Sequence, residues 1–269
     1  MGGALTQTGE AVGLSREALD ITDTAAFQRA LEQYQPAAVI NAAAQANVDR
    51  ADTEPEWTAA VNAIAPTALA AIAARHGVRF VHLSTDYVLD APHLASLDEA
   101  VEPSPRSTYA ETKLHGERGV LEADGVVVRL QWVYQPGHRG FFNRALSMMA
   151  SGQAVRLVSD QVGCPTPASL IAPALLRIAA GEGTGLFHLA TTGEATAAEW
   201  ITAGARAAGI QVLAEPAIRA DFTGAHRPAR SVLNCDKLAE AYGIRLPDWT
   251  AALQTVMPED DKLWTGVLL

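Results

Sequence analysis

Ser84-Thr85-Asp86-Tyr87, followed by Tyr109-Ala110-Glu111-Thr112-Lys113, carries the strongest signal in this 269-residue sequence. The apolar run Phe80-Val81-His82-Leu83 ends in hydroxyl side chains, as a buried parallel strand does where it reaches a cleft. Tyr109 and Lys113 then stand four positions apart at the start of a helical pattern, so they share one helix face. The sequence therefore predicts that a strand end and a helix face meet at one site.

These residue types suit proton transfer to or from an oxygen on carbon while a hydride moves. A neighbouring ammonium favours the phenolate, so we expect Lys113 to lower the pKa of Tyr109. Thr85 can donate a second hydrogen bond to the same substrate oxygen. The other interpretation of Tyr109 and Lys113 alone is a surface contact between helix positions i and i+4.

Short apolar strands alternate with helical patterns along the chain, which is typical of an α/β fold. We predict a Rossmann-type, doubly wound parallel sheet in a dinucleotide-binding domain of residues 1-130. Residues 131-269 are predicted to form mainly a smaller substrate-binding lobe, with helix 168-183 packing on the first domain. A strand is also predicted at Ala11-Val12-Gly13-Leu14, ahead of a helix that Thr22 or Asp23 caps.

Polar or aromatic residues lie at or just past four of the predicted strands: Arg16, Asn41, Thr85 and Trp132. Ligands of parallel sheets bind beyond the carboxyl ends of the strands, so we expect these residues to share a site.

Composition restricts the class of protein. The net charge of −10 argues against a nucleic-acid partner. Uninterrupted apolar runs are too short to span a membrane, and the start of the sequence lacks the basic and apolar segments of a signal peptide. Cys164 and Cys235 are expected to be free thiols, as in the cytoplasm. The histidines show no metal-ligand spacing, so we predict no metal site.

The chain resembles the dTDP-4-dehydrorhamnose reductases, members of the extended short-chain dehydrogenase/reductases, along nearly its whole length. The segments that match, in order, are Leu19-Asp-Ile-Thr-Asp23, Val39-Ile-Asn-Ala-Ala-Ala44, Val48-Asp49, Val61-Asn62-Ala63, Ser84-Thr-Asp-Tyr-Val88, Tyr109 to Lys113, Trp132-Val-Tyr134, Asp160-Gln161, Gly163, Pro165-Thr-Pro167, Arg227-Pro228, Ser231-Val-Leu233 and Leu246-Pro-Asp-Trp249.

The resemblance implies that NADPH or NADH reduces the 4-keto group of a dTDP-4-dehydro-6-deoxy-L-hexose to give dTDP-L-rhamnose. It implies the catalytic residues Thr85, Tyr109 and Lys113. The cofactor-binding positions would be Gly2, Arg16, Asp20, Ile21, Asn41, Ala42, Ala43, Ala44, Asn62, Ser84, Tyr109 and Lys113. The substrate-binding positions would be Thr85, Asp86, Tyr87, Trp132, Gln161 and Arg227.

Plainer interpretations stay open for several of these. Asp20 could also be a turn or helix-capping residue, and Arg16 a charged residue of a solvated loop. Trp132 and Tyr134 could be aromatic residues of the core. A homodimer is open as well. The alternative functions are a non-catalytic NADP-binding regulatory subunit and a related sugar-nucleotide epimerase or dehydratase.

The sequence departs from the family pattern in two ways. First, the residues near the substrate differ at Gln45, Leu130-Gln131 and Phe141-Phe142, which leaves the exact identity of the substrate open. The first strand and most of the glycine-rich loop are absent, and Gly2 resembles the last glycine of that loop. We therefore expect an unpaired gap in the middle of the sheet, low stability and weak NADPH binding.

Overall fold

A computed structural model of the chain describes residues 1–138 and 140–257. The α-helices are α1 Gly2–Thr6, α2 Thr24–Tyr34, α3 Val48–Thr53, α4 Pro55–Ala59, α5 Ala65–Arg75, α6 Thr108–Glu122, α7 Phe141–Ala150, α8 Ala168–Ala180, α9 Ala197–Ala207, α10 Asp236–Tyr242 and α11 Trp249–Val256. The strands are β1 Ala38–Asn41, β2 Arg79–Thr85, β3 Val126–Leu130, β4 Val133–Tyr134, β5 Val155–Val158, β6 Val162–Gly163, β7 Thr166–Pro167, β8 Gly185–Leu189, β9 Ala195–Thr196 and β10 Ala214–Ala217. A π-helical turn, Ala60–Ile64, joins α4 to α5, and 3-10 turns cover Asp86–Val88 and Arg219–Asp221.

The main sheet is parallel, with the strand order β1-β2-β3-β8. Every residue of β3 is buried, as expected for a central strand covered on both faces. On one face α8 packs on a cluster that includes Val81 and Val128; on the other, α2 and α5 pack around Phe80 and Val127. The predicted Rossmann-type fold is confirmed, and it places the ends of β1, β2 and β3 side by side.

Local signals account for the helices around this sheet. The Asp23 carboxylate accepts a hydrogen bond from the backbone N–H of Ala26 at 2.9 Å and so caps α2, as predicted. The helical stretch Pro55–Arg75 is long and apolar enough to cross a membrane, but 56% of its most apolar window is buried inside the protein. Such burial is typical of a core helix.

The predicted strand at Ala11 to Leu14 is wrong. These residues form no strand, and Val12 and Leu14 are exposed. An apolar run becomes a strand only when another strand pairs with it, and none of the described strands does. The prediction of a gap in the middle of the sheet is also wrong. Among the described residues the four strands are continuous, and the sheet ends at β1 with no strand beyond it.

The later part of the chain contains a second apolar cluster. Phe142 and Leu146 of α7 pack against Trp200 and Ile201 of α9, beside the parallel pair of β5 and β10. However, α8 and β8 lie with the main sheet. The boundary at residue 130 stays a prediction, and residues 258–269 of the second domain lie outside the described part.

A buried ion pair fastens α6 to the sheet. Glu117 of α6 accepts hydrogen bonds from Arg129 of β3 at 2.9 Å and 2.7 Å, and from the hydroxyl of Ser84 at 2.5 Å. Both charged side chains are almost completely buried. The helix that carries Tyr109 and Lys113 is therefore fixed to two strands at their carboxyl halves.

Candidate active site

Thr85 and Tyr109 meet as the sequence predicts. Thr85 is the last residue of β2, and Tyr109 lies in the first turn of α6, which Ser107 caps by accepting from the N–H of Ala110 at 3.3 Å. Burial raises the pKa of Tyr109 to about 12, the Asp86 charge acts in the same direction, and a hydrogen bond with Thr85 opposes them. Tyr109 is therefore protonated at neutral pH and can donate a proton.

The expected effect of Lys113 on Tyr109 is wrong for this structure. The Lys113 Nζ donates to the Leu83 carbonyl at 2.6 Å and lies 3.0 Å from His82 Nε2. Lys113 is not among the groups that shift the pKa of Tyr109. The shared helix face brings the two Cβ atoms together, but hydrogen bonds at the end of β2 hold the amine. Burial lowers the pKa of Lys113 itself to about 8.

Asp86 is a buried carboxyl group next to Thr85. It accepts hydrogen bonds from the Ser231 hydroxyl at 2.6 Å, the Gln131 side chain at 3.0 Å and the Thr85 hydroxyl at 3.2 Å. Burial raises the pKa of Asp86 to about 6, although these hydrogen bonds act in the opposite direction. Gln131, which departs from the family pattern, also accepts from the N–H of Cys164 at 2.8 Å and so joins β3 to the 160s loop.

Tyr87 connects these residues to a cavity of about 830 Å³. Its ring packs edge-on against Tyr109 with centroids 5.7 Å apart. Burial raises the pKa of its hydroxyl, and the neighbouring Arg227 and Gln161 side chains act in the opposite direction. Tyr87, Trp132, Gln161 and Arg227 all line the cavity, so four of the six predicted substrate residues lie together. Thr85 and Asp86 lie behind Tyr87.

Trp132 has an unusual backbone conformation for a residue with a side chain, with φ of +39°. Its ring stacks on Trp200 at 5.7 Å between centroids, and one face of the residue lines the cavity. A Cβ atom on Gly163 would lie 2.7 Å from this ring, so only glycine leaves room for it. Tyr134 is a buried aromatic that packs on Phe142 and Trp200, and it too borders the cavity.

Sequence reasoning missed the cationic and aromatic side chains on the far wall of the cavity. Arg156 of β5 lies 4.9 Å over the ring of Phe222, and its guanidinium is 3.0 Å from Asp221. Arg219 lies against Asp160 on the same wall. Arginine and aromatic rings suit a phosphorylated ligand with a planar base. Their separation along the chain left no sequence signal that they share a wall.

Two predicted cofactor residues, Asn41 and Ser84, lie at strand ends, and a third, Asn62, lies in the π-helical turn before α5. Asn41 closes β1, and its side chain lies 3.1 Å from His82 Nδ1. Asn62 holds the loop of Ala42, Ala43 and Ala44 in place by accepting from the N–H of Gln45 at 2.9 Å. Ser84 donates to Glu117, as described above. Their cofactor contacts stay predictions.

The other predicted cofactor residues belong to the segment before β1. Asp20 accepts from the Thr22 N–H at 2.9 Å, the turn role that the sequence left open. Arg16 follows no strand; its guanidinium lies 3.5 Å from Asp20 and 4.7 Å from the ring of Trp57. Ile21 packs on the cluster around Phe27. Gly2 opens α1 and is exposed.

Both cysteines are free thiols, as predicted. No group of three or more metal-ligating side chains occurs within residues 1–138 and 140–257.

Comparison with known proteins supports the family suggested by the sequence. Residues 2–261 match the family model described as RmlD substrate binding domain. A dTDP-4-dehydrorhamnose reductase of Sinorhizobium fredii is 34% identical over 254 residues, covering 89% of this chain and 86% of the relative.

Solved structures agree. The crystal structure of a dTDP-4-dehydrorhamnose reductase from Clostridium acetobutylicum superposes with a TM-score of 0.89 at 28% identity, covering 95% of this chain and 94% of the other. The enzyme from Bacillus anthracis, solved in complex with NADP, gives 0.86 at 25% identity, covering 92% and 89%. By sequence, fold and family model, the chain belongs to the RmlD family, the family of the dTDP-4-dehydrorhamnose reductases.

Proposed function

We propose that the protein reduces the 4-keto group of a dTDP-4-dehydro-6-deoxy-L-hexose, using NADPH or NADH, and forms dTDP-L-rhamnose from dTDP-4-dehydrorhamnose. The observation that carries this proposal is a buried phenol, Tyr109, beside Thr85 at the end of β2. Tyr87 joins that pair to a cavity with aromatic and arginine walls. A proton donor therefore lies beside a pocket suited to a nucleotide sugar.

A nicotinamide cofactor, when bound, would supply the hydride for C4 of the sugar. Tyr109 gives its phenolic proton to the C4 oxygen as negative charge develops there. The raised pKa of Tyr109 keeps that proton in place at neutral pH until the oxygen needs it. The Thr85 hydroxyl, which donates to Asp86 in the unliganded protein, turns to donate to the same oxygen and stabilises its charge.

The donors at the strand ends fit the nicotinamide end of the cofactor. Lys113 contributes an amine on the same helix as the proton donor, and we assign the nicotinamide ribose to Lys113. Ser84, whose hydroxyl donates to Glu117, is assigned to the cofactor only as the family resemblance implies. Asp20 and Ile21 are assigned to the adenine and Arg16 to a 2′-phosphate, as the family resemblance implies. Gly2 was predicted to bind the cofactor diphosphate, but its exposed position in α1 gives no support for that contact.

The nucleotide half of the substrate is assigned to the cavity. Trp132 offers a flat apolar face to the base or the sugar, and Arg227 a planar cation to the diphosphate. Arg227 is already oriented by Asp49, whose carboxylate lies 2.8 Å from its guanidinium. Arg156 and Arg219 face the same space. Each of these three arginines is already paired with an aspartate, so an anionic ligand would be held by their remaining N–H donors and not by unpaired charge.

We further place the protein in the cytoplasm, where sugar nucleotides and reduced cofactor are available, and a homodimer stays open as its assembly. Size measurement in solution, by light scattering, would test the assembly.

The decisive experiment follows NADPH consumption with a panel of dTDP- and UDP-linked 4-keto sugars, with product analysis for each. The proposal predicts turnover with the dTDP-4-keto-6-deoxy-L-sugar and stoichiometric loss of NADPH. Binding of NADPH without turnover of any sugar would support the regulatory-subunit alternative. Conversion without net NADPH loss would support an epimerase or dehydratase.

A further inference from the structure

Phe222 is an aromatic side chain on the cavity wall to which the proposed reaction gives no role. Its exposed fraction is 48%, and it belongs to none of the apolar clusters formed within the described residues. A phenylalanine ring outside any core lacks the free energy that burial of its apolar surface would supply. The ring instead lines the cavity of about 830 Å³. Aromatic rings in such a position are typical of a surface that a bound ligand covers.

Polar contacts fix the turn that carries Phe222. Asp160, just past β5, accepts from the backbone N–H of Arg219 at 2.7 Å. The Asp221 carboxylate accepts from the N–H of Ile218 at 3.0 Å. The N–H of Phe222 itself donates to the Arg219 carbonyl at 3.1 Å. The backbone that positions the ring is therefore ordered without a ligand, so little conformational entropy would be lost when a ligand binds.

A cation covers one face of the ring. The guanidinium carbon of Arg156 lies 4.9 Å from the ring centroid of Phe222, and the same guanidinium is held 3.0 Å from Asp221. The attraction between a guanidinium and the π electrons keeps the two planar groups together. The exposed part of the ring leaves room for a second planar group. Aromatic rings and arginine planes are the side chains on which nucleobases stack.

Contacts lead in a fixed order from the proposed proton donor to Phe222. Tyr87 packs on Tyr109 with the ring centroids 5.7 Å apart. Burial raises the pKa of the Tyr87 hydroxyl and the charge of Arg227 opposes this, so the two groups are neighbours. The Arg227 carbonyl accepts from the Arg219 guanidinium at 3.5 Å, and the Arg219 carbonyl accepts from Phe222. Two arginines therefore lie between an aromatic group at each end.

This order is the order of the parts of a nucleotide sugar. The keto sugar belongs beside Tyr109, the diphosphate beside the two arginines, and the base at the far end. Trp132 lies nearer the sugar end, because the preceding Gln131 donates to Asp86 at 3.0 Å. Of the two aromatic side chains, Phe222 is thus the one in place for the base.

We propose that Phe222, with Arg156 on its other face, is the stacking surface for the pyrimidine base of the nucleotide sugar, while Trp132 contacts the sugar. This inference rests on the proposed function for the identity of the ligand and adds the place of its base. Stacking on one aromatic ring recognises a planar base without reading its edge, so Phe222 contributes affinity for the nucleotide.

Binding of dTDP alone, measured by calorimetric titration, tests the proposal. Phe222→Leu keeps an apolar side chain but loses the flat ring, so dTDP should bind about tenfold more weakly. Phe222→Trp should bind it as well as the wild type, and the affinity for NADPH should stay the same in both variants. Because Phe222 packs into no core, both variants should fold.

Ile218→Ala is the matched control. Ile218 is equally exposed and lies four positions earlier in the same turn, but it is not among the residues that line the cavity. Its replacement should leave dTDP affinity unchanged. An unchanged affinity in Phe222→Leu, or an equal loss in Ile218→Ala, would overturn the proposal.

Proton NMR of bound dTDP identifies the ring on which the base stacks. An aromatic face shields the protons above it, so the thymine methyl and H6 signals should move upfield on binding. The shift should disappear in Phe222→Leu and persist in Trp132→Leu. The reverse pattern, or no binding of dTDP, would overturn the proposal.

Neither measurement needs turnover, so the two proposals can fail separately. A protein that stacks the base on Phe222 but reduces no 4-keto sugar would refute the reduction and leave the base site standing. Turnover of the dTDP-linked sugar with unchanged dTDP affinity in Phe222→Leu would refute the base site and leave the reduction standing.

Discussion

Replacing Lys113 by methionine should change how the stability of the protein depends on pH. Lys113 is completely buried, and its pKa falls from an ordinary 10.5 to about 8 in the folded protein. Between these values the unfolded chain holds the proton that the folded chain has released. Stability must therefore rise with pH across this window, and below it the contribution of this group no longer changes with pH.

The size of the effect follows from the shift. About 2.5 pKa units correspond to about 3 kcal/mol of unfolding free energy at 1.36 kcal/mol per unit. Methionine fills similar space without a titrating group, so the variant should lack this rise. Between pH 7.5 and 10.5 the stability of the wild type relative to Lys113→Met is expected to increase by about 3 kcal/mol.

Urea unfolding at a series of pH values measures this difference directly. Lys237→Met is a matched control, since the Lys237 amine also donates to a strand carbonyl, at 2.8 Å from Leu186, but lies on the surface. Its difference from the wild type should stay flat. Parallel curves for the wild type and Lys113→Met would refute the conclusion that Lys113 is an amine with a lowered pKa.

Two further substitutions test the site. Tyr109→Phe should lower turnover about 10²-fold or more, while nucleotide binding, measured by titration, stays nearly unchanged. The control Tyr34→Phe, at an exposed tyrosine, should leave turnover as it is. Near-normal turnover of Tyr109→Phe would remove that residue from the mechanism. Gly163→Ala should displace the Trp132 ring, lower stability by about 1–3 kcal/mol and change tryptophan fluorescence. Gly3→Ala, where a Cβ meets nothing within 4 Å, should do neither; an unchanged Gly163→Ala protein would show that the ring can move aside freely.

The fold could be predicted where a local sequence pattern alone determines a helix or a strand. The cap at Asp23 and the apolar run that ends at Thr85 each predict one element without knowledge of the rest of the chain. The run at Ala11 to Leu14 failed because a strand depends on a partner that the run itself does not specify. Pairing is a property of two segments, and only one of them can be seen in a local pattern.

The site was predictable only in part, for a similar reason. Helix spacing correctly placed Tyr109 and Lys113 on one face, but a lysine side chain is long, and His82 and the Leu83 carbonyl decide where its amine lies. Arg156 and Phe222 face the same cavity from distant parts of the chain, which no spacing rule reveals. Residues joined by one local element were therefore found, and residues joined only by tertiary packing were missed.

The buried pair of Glu117 and Arg129 has a consequence for how this sequence can vary. Removing either partner alone leaves an uncompensated charge in the core, at a cost of roughly 3–5 kcal/mol, a large share of the stability of a typical domain. Exchanging both together for apolar residues of similar volume would cost far less. We therefore expect related sequences to keep or to lose both charged residues at positions 117 and 129 together, and a change at only one of the two positions to be rare.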